Sequence, residues 1–164
     1  MSQDLRIKFV GSAVFEGGKS QSATFYPAGK DATFVVESEK SPLSAADTSV
    51  EMLDSTGNTL CHVSLRPQTK LIAVNAKKKG STGWDQSTQV LLVFDQYLPS
   101  SKPAYFKLTD DGETFTINFS DDNPVKVKKL AGLADAEISR VNYNAPAKGE
   151  SVLSDQIKFT VTLP

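Results

Sequence analysis

The chain has one cysteine, one histidine and one tryptophan in 164 residues, and its 18 Lys and Arg nearly cancel its 19 Asp and Glu. A lone Cys61 cannot form an intramolecular disulfide. Lying on the apolar side of an alternating run, it reads as a small buried hydrophobe and not as a reactive thiol. A lone His62 excludes a zinc-binding histidine cluster and a His–His proton relay, and neither a metal nor a cofactor is expected. With a net charge of −1 and dispersed basic residues, the chain lacks the electrostatic footprint that selects nucleic acid or an anionic membrane. No run of about eighteen apolar residues is present, so membrane insertion is not expected. Met1-Ser2-Gln3-Asp4 lacks the basic and apolar regions of a secretory leader. The expected location is the cytoplasm, or outside the cell by a route without a signal peptide.

A sustained helical period is also missing. What recurs is alternation. Leu5, Ile7 and Phe9, then Phe115, Ile117 and Phe119, then Ile157, Phe159, Val161 and Leu163 each alternate with polar residues, as strands with one buried face do. Gly, Pro, Asn and Asp turns separate such runs. The length suits a single domain, 1–164, able to bury about two thirds of its unfolded surface. The expected fold is all-β, a sandwich of two antiparallel sheets packed face to face. Gly17-Gly18-Lys19-Ser20 is a turn, because a phosphate loop would require glycine where Ala13 stands. Lys77-Lys78-Lys79 beside Gly80 reads as a solvated loop tip, and residues 96–103 read as a long loop bordering a site or joining two edges. Asn118-Phe119-Ser120 matches the N-glycosylation tripeptide by chance, since it falls within an expected strand.

The densest chemistry lies in Cys61-His62-Val63-Ser64-Leu65-Arg66. Period-two alternation turns Cys61, Val63 and Leu65 to one side and lines His62, Ser64 and Arg66 along the other. A second run, Leu71 to Asn75, follows the short Pro67-Gln68-Thr69-Lys70 connection, so a hairpin would place Asn75 beside the polar row. Trp84 follows in Gly83-Trp84-Asp85, a polar turn where an exposed ring would serve as a binding platform. A neutral polar array plus one aromatic suits a carbohydrate, whose hydroxyls need directional partners and whose C–H patches lie against rings.

These residues and spacings resemble the galectins, whose pattern runs His-x-Asn/Ser-x-Arg, Val-x-Asn and Trp-Gly-x-Glu-x-Arg; the Ser64 version looks most like the galectins of mushroom fruiting bodies. Ser49 to Asn58 fits the hairpin before the motif, Asp111 to Phe119 a strand after it, and Ala136 to Ala145 the penultimate strand. The resemblance extends over residues 49–164. It implies a galectin-type jelly roll and a non-enzymatic, carbohydrate-binding lectin for β-galactosides or related oligosaccharides and glycoconjugates. It also implies a homo-oligomer that cross-links glycans through several sites. By the same resemblance the site comprises His62, Ser64, Arg66, Asn75, Trp84, Ser87 and Gln89. Asp85, Ser87 and Gln89 stand where the family has Gly, Glu and Arg, so the charge-assisted network that the family builds there, each bond of which is worth ~1.5–3 kcal/mol, is absent. Two alternatives remain open: a lectin retuned to another glycan such as N-acetylhexosamine chains, and a structural or protein-interaction sandwich whose sugar site has decayed. Catalysis is not expected. No Asp-x-Asp or Glu-x-Glu pair on a strand face aims two carboxylates into a cleft, and His62 has no motif-supported nucleophile.

Overall fold

The computed structural model describes residues 11–42, 46–148, 150–153 and 156–164. Within them are twelve strands: β1 Gly11–Glu16, β2 Gln21–Ala28, β3 Thr33–Ser38, β4 Thr48–Leu53, β5 Thr59–Arg66, β6 Leu71–Lys77, β7 Val90–Val93, β8 Tyr105–Asp110, β9 Thr114–Phe119, β10 Pro124–Lys128, β11 Ile138–Asn144 and β12 Gln156–Thr162. They form two six-stranded antiparallel sheets, ordered β1-β12-β3-β8-β9-β10 and β2-β11-β4-β5-β6-β7. The expected two-sheet sandwich is present. The run from Leu5 to Phe9 lies outside the described residues. No helix among those described is long and apolar enough to cross a membrane.

Period-two burial makes the core. On the first sheet Phe34, Phe106, Phe115, Phe119 and Phe159 face inward, and on the second Val50, Met52, Val63, Ile72, Val74, Val141 and Tyr143 meet them. Each large apolar side chain removed from water contributes roughly 1.5–3 kcal/mol, so the two inner faces hold the sheets together. Leu60 and Cys61 are adjacent yet both enter the core, because the β5–β6 register shifts between Thr59 and His62. Such a bulge brings one extra residue to the inner side and restores strict alternation beyond it. His62, Ser64 and Arg66 therefore emerge on the outer face.

The segment 96–103 is a loop from Leu98 onward, as expected, and only its first two residues differ. Phe94–Tyr97 is a single helical turn, α1, with the Leu98 N–H donating to the Phe94 carbonyl at 2.8 Å. Phe94 and Leu98, four residues apart, are both buried, which is the spacing of one helix face. The turn links β7 of one sheet to β8 of the other. Between β4 and β5, the Asp54 carboxylate closes the turn by accepting from the N–H groups of Thr56, Gly57 and Asn58 at 2.9–3.0 Å and from the Asn58 amide at 2.8 Å. Gly57 there has φ +104°, a conformation that costs glycine nothing.

Candidate functional site

The β5–β6 hairpin turns through residues 67–70 and sets His62 opposite Asn75. Both are buried, at 6 % and 2 % exposure, and Ser64 is at 7 %. Polar groups taken out of water must find partners, and here they find one another. His62 Nδ1 lies 2.7 Å from Asn75 Oδ1, and Asn75 Nδ2 donates to Gln89 Oε1 at 3.1 Å. Gln89 Nε2 in turn donates to Gln86 Oε1 at 3.2 Å, and Gln86 Nε2 reaches the Trp84 carbonyl at 3.5 Å. The relay has one direction. Because the Asn75 amide nitrogen serves Gln89, its oxygen faces the imidazole, so Nδ1 carries the proton and Nε2 is left as an acceptor.

Trp84 lies flat on His62, with ring centroids 4.0 Å apart and planes 4° from parallel. The Lys77 ammonium sits 4.6 Å from the centre of the indole. The ring is therefore half-buried in a stack, and the fully exposed platform expected from the polar turn is not what forms. The reason is loop anchorage: the Asp85 N–H donates to the Ala76 carbonyl at 2.8 Å and pins the segment against the end of β6. Lys77 likewise departs from the solvated loop tip, being the last residue of β6.

Arg66 Nε donates to Ser64 Oγ at 3.0 Å. Among the described residues the guanidinium has no ion-pair partner, so its terminal N–H groups remain available. Ser87 is turned away from this row. Its N–H and hydroxyl both donate to Asp85 Oδ1, at 2.8 and 2.5 Å, and Thr88 N–H joins them at 3.2 Å. These donors, with the Ser87 hydroxyl foremost, hold the Asp85 carboxyl below its usual range. The geometry thus gathers His62, Ser64, Arg66, Asn75, Trp84 and Gln89 and leaves Ser87 in its own turn.

Burial pushes the His62 pKa below the usual imidazole value. The bond to Asn75 and the nearby Glu51 pull it back up, while Arg66 and Lys77 push it further down. The ring is neutral at pH 7 and presents Nε2 as an acceptor. Burial alone raises the Cys61 thiol to about 12, which leaves it unreactive.

Glu51 and Asn142 belong to the same outer row, because register sets Asn142 beside Glu51 and Glu51 beside His62. Asn142 Nδ2 donates weakly to Glu51 Oε2 at 3.5 Å. Neither was singled out in the sequence. The signal was available in the alternation of Ser49, Glu51 and Leu53 on β4 and of Arg140, Asn142 and Asn144 on β11. No group of three or more metal-ligating side chains occurs among the described residues.

Several solved structures superpose on this sandwich. The tetrameric galectin of the ball sponge Cinachyrella matches with a TM-score of 0.65 at 18% identity, covering 84% of this chain and 94% of its own. The chain has the galectin fold. Lactose- and MES-liganded congerin II matches with a TM-score of 0.62 at 16% identity, over 86% of this chain and 99% of its own. Toad ovary galectin in complex with thio-digalactose gives 0.62 at 13%, over 86% and 97%. No protein-family model matches the sequence. No curated protein matches it.

Proposed function

We propose that this protein is a non-catalytic lectin that binds β-galactosides or related oligosaccharides on the outer face of β5 and β6. The observation that carries the reading is the tryptophan–imidazole stack locked by the His62–Asn75–Gln89 relay. It fixes a neutral acceptor at His62 Nε2, a hydroxyl at Ser64 and free guanidinium N–H groups at Arg66 on one surface beside an aromatic edge. Sugar hydroxyls pair with such groups, and the part of the indole left exposed offers sugar C–H groups an apolar contact. Lactose and thio-digalactose, carried by the congerin and toad structures, are the ligands to try first, and Ser64 points to the mushroom galectins among the family.

One shallow site of this kind gives around −4 to −6 kcal/mol, and linking several sites raises avidity by ~10²–10⁴. Glycan cross-linking therefore needs a homo-oligomer, the state described for the tetrameric sponge galectin. A second reading has its own support. Arg66 without a carboxylate partner, and Ser87 folded back on Asp85, leave the far side of the site more open and more cationic than a Glu–Arg pair would. That favours a glycan other than plain lactose, with N-acetylhexosamine chains as the alternative. A glycan array run with and without competing lactose decides: hits displaced by lactose support β-galactoside binding, undisplaced hits support the retuned site, and an empty array leaves a decayed sandwich.

A further inference from the structure

The outer face of the second sheet changes character toward its β7 edge. Its rows run Ser64–Ala73–Leu91 and Arg66–Leu71–Val93 across β5, β6 and β7, so the polar pair on β5 borders a block of four apolar positions. Leu91 and Val93 are 54 % and 56 % exposed, and Leu71 is half-buried. Ala73 is buried and too short to form a barrier between Ser64 and Leu91.

Folding does not require these side chains to be apolar. On β7 it is Leu92 that turns into the core, while Leu91 and Val93 point away from it. The outer face of an antiparallel sheet is ordinarily polar, and an outermost strand such as β7 ordinarily carries charge. Among the described residues only one other large hydrophobic side chain is this exposed, Val14 on the opposite sheet. A contiguous apolar patch in such a place marks a contact surface.

The shelf is continuous with the sugar site. Gln89, which accepts from the Asn75 amide at 3.1 Å, stands two residues before Leu91, so a ligand touching Gln89 meets Leu91 and then Val93. From Ser64 to Leu91 is two strand spacings, about 10 Å, a distance that one or two sugar rings span. A second copy of the chain seated on the shelf would also cover Ser64 and Arg66. A hydrocarbon joined to the bound sugar reaches the shelf without obstructing them. Once the sugar is held, that contact is intramolecular, so a surface too small to capture hydrocarbon by itself adds to affinity.

We propose that Leu71, Leu91 and Val93 bind the hydrocarbon next to the sugar of a glycolipid. The inference rests on the lectin reading above. The test is calorimetric titration of methyl and hexyl β-lactoside, each below its micelle-forming concentration, into the parent protein and into the Leu91→Ser/Val93→Thr double variant. The hexyl form should bind the parent about ten-fold more tightly than the methyl form. The double variant should keep the methyl affinity and lose the gain. Equal affinity of the parent for both forms, or a gain that survives in the double variant, would overturn the shelf and leave the lectin reading standing. If the parent binds neither lactoside, the β-galactoside reading fails, and the same pair of glycosides of di-N-acetylchitobiose judges the shelf: a hexyl gain lost in the double variant sustains it, and any other result overturns it. Sedimentation of the ligand-free proteins closes the remaining route, because a smaller assembly in the double variant would show that a second copy covers the shelf and would overturn the proposal.

Discussion

Two buried polar clusters stand out in this sandwich, one sealed within the fold by an ion pair and one opening on the outer face of the second sheet. At the end of the first sheet Lys129 Nζ sits 2.7 Å from Asp110 Oδ1 and 2.9 Å from the Ala134 carbonyl, while Asp110 Oδ1 also accepts from Gly112 N–H at 2.8 Å. Those two side chains are only 4 % and 1 % exposed. The pair is sealed from solvent, with Asp110 Oδ2 buried and unpartnered, and it ties the segment after β10 to the end of β8. On the second sheet His62, Asn75 and Ser64 are buried too, but the relay that holds them leaves His62 Nε2 and the ends of Arg66 unpartnered. A cluster sealed from water by an ion pair serves the fold even where one valence stays open; one held rigid by its neighbours, with donors and acceptors open on the outer face, is the one available to a ligand. Burial of polar residues marks both, and the side of the sheet on which a valence stays open tells them apart.

The largest expected effect falls on the closed cluster. Lys129→Ala leaves Asp110 buried without its cation and should cost about 3–5 kcal/mol of stability, read as a large fall in the thermal midpoint, while glycan affinity of the folded fraction stays at the parent value. The converse experiment is Trp84→Ala. Glycan binding should be lost, with a stability cost of only about 1 kcal/mol for the lost stack on His62. A severe loss of stability in that variant would place Trp84 with the structural cluster and erase the contrast.

Smaller effects should grade the open cluster. Arg66→Ala and Asn75→Ala should each weaken glycan binding by about 1–3 kcal/mol, and together by less than the sum, because both serve the same hydroxyl region. Gln89→Arg is more discriminating. Judged by family pattern it restores an arginine, but Gln89 Oε1 is the acceptor that orients Asn75, and arginine cannot accept. Affinity should fall by about 1 kcal/mol, measured by calorimetry.

The smallest effect is pH dependence. The His62 pKa is lowered on folding from the usual 6.5, so its contribution to stability is present above that value. As the pH drops below 6.5 the unfolded chain takes up the proton first, and stability declines until the folded-state pKa is passed. Glycan affinity should hold through that interval and decline only at lower pH, where the folded ring itself takes up a proton and Nε2 ceases to accept. Unfolding midpoints from pH 7.5 to 5 should show this slope in the parent and not in His62→Gln.

The fold was legible because burial on a sheet repeats every second residue, and Phe115, Ile117 and Phe119 can satisfy that period in only one way. The hairpin bearing His62 and Asn75 was legible for the same reason. Trp84 and Ser87 were not. Their placement depends on a backbone bond from Asp85 to Ala76 and on a carboxylate-centred turn, and neither has a periodic signature. The helical turn at Phe94 was missed because a single i, i+4 pair is too short to stand out from a loop. Gln89 was placed at the site by family position; its acceptor role appears only once Asn75 has a fixed orientation.

Trp84 is the only tryptophan, so fluorescence excited selectively in the indole, beyond the tyrosine absorption, reports this stack. The decisive measurement is the Trp84 emission during titration with a glycan already shown to bind. If the glycan lies on this face, the emission changes saturably, with a midpoint equal to the calorimetric affinity, and the change is weakened in Arg66→Ala. Full calorimetric binding with unaltered Trp84 emission would place the glycan elsewhere on the molecule and contradict the assignment of this face.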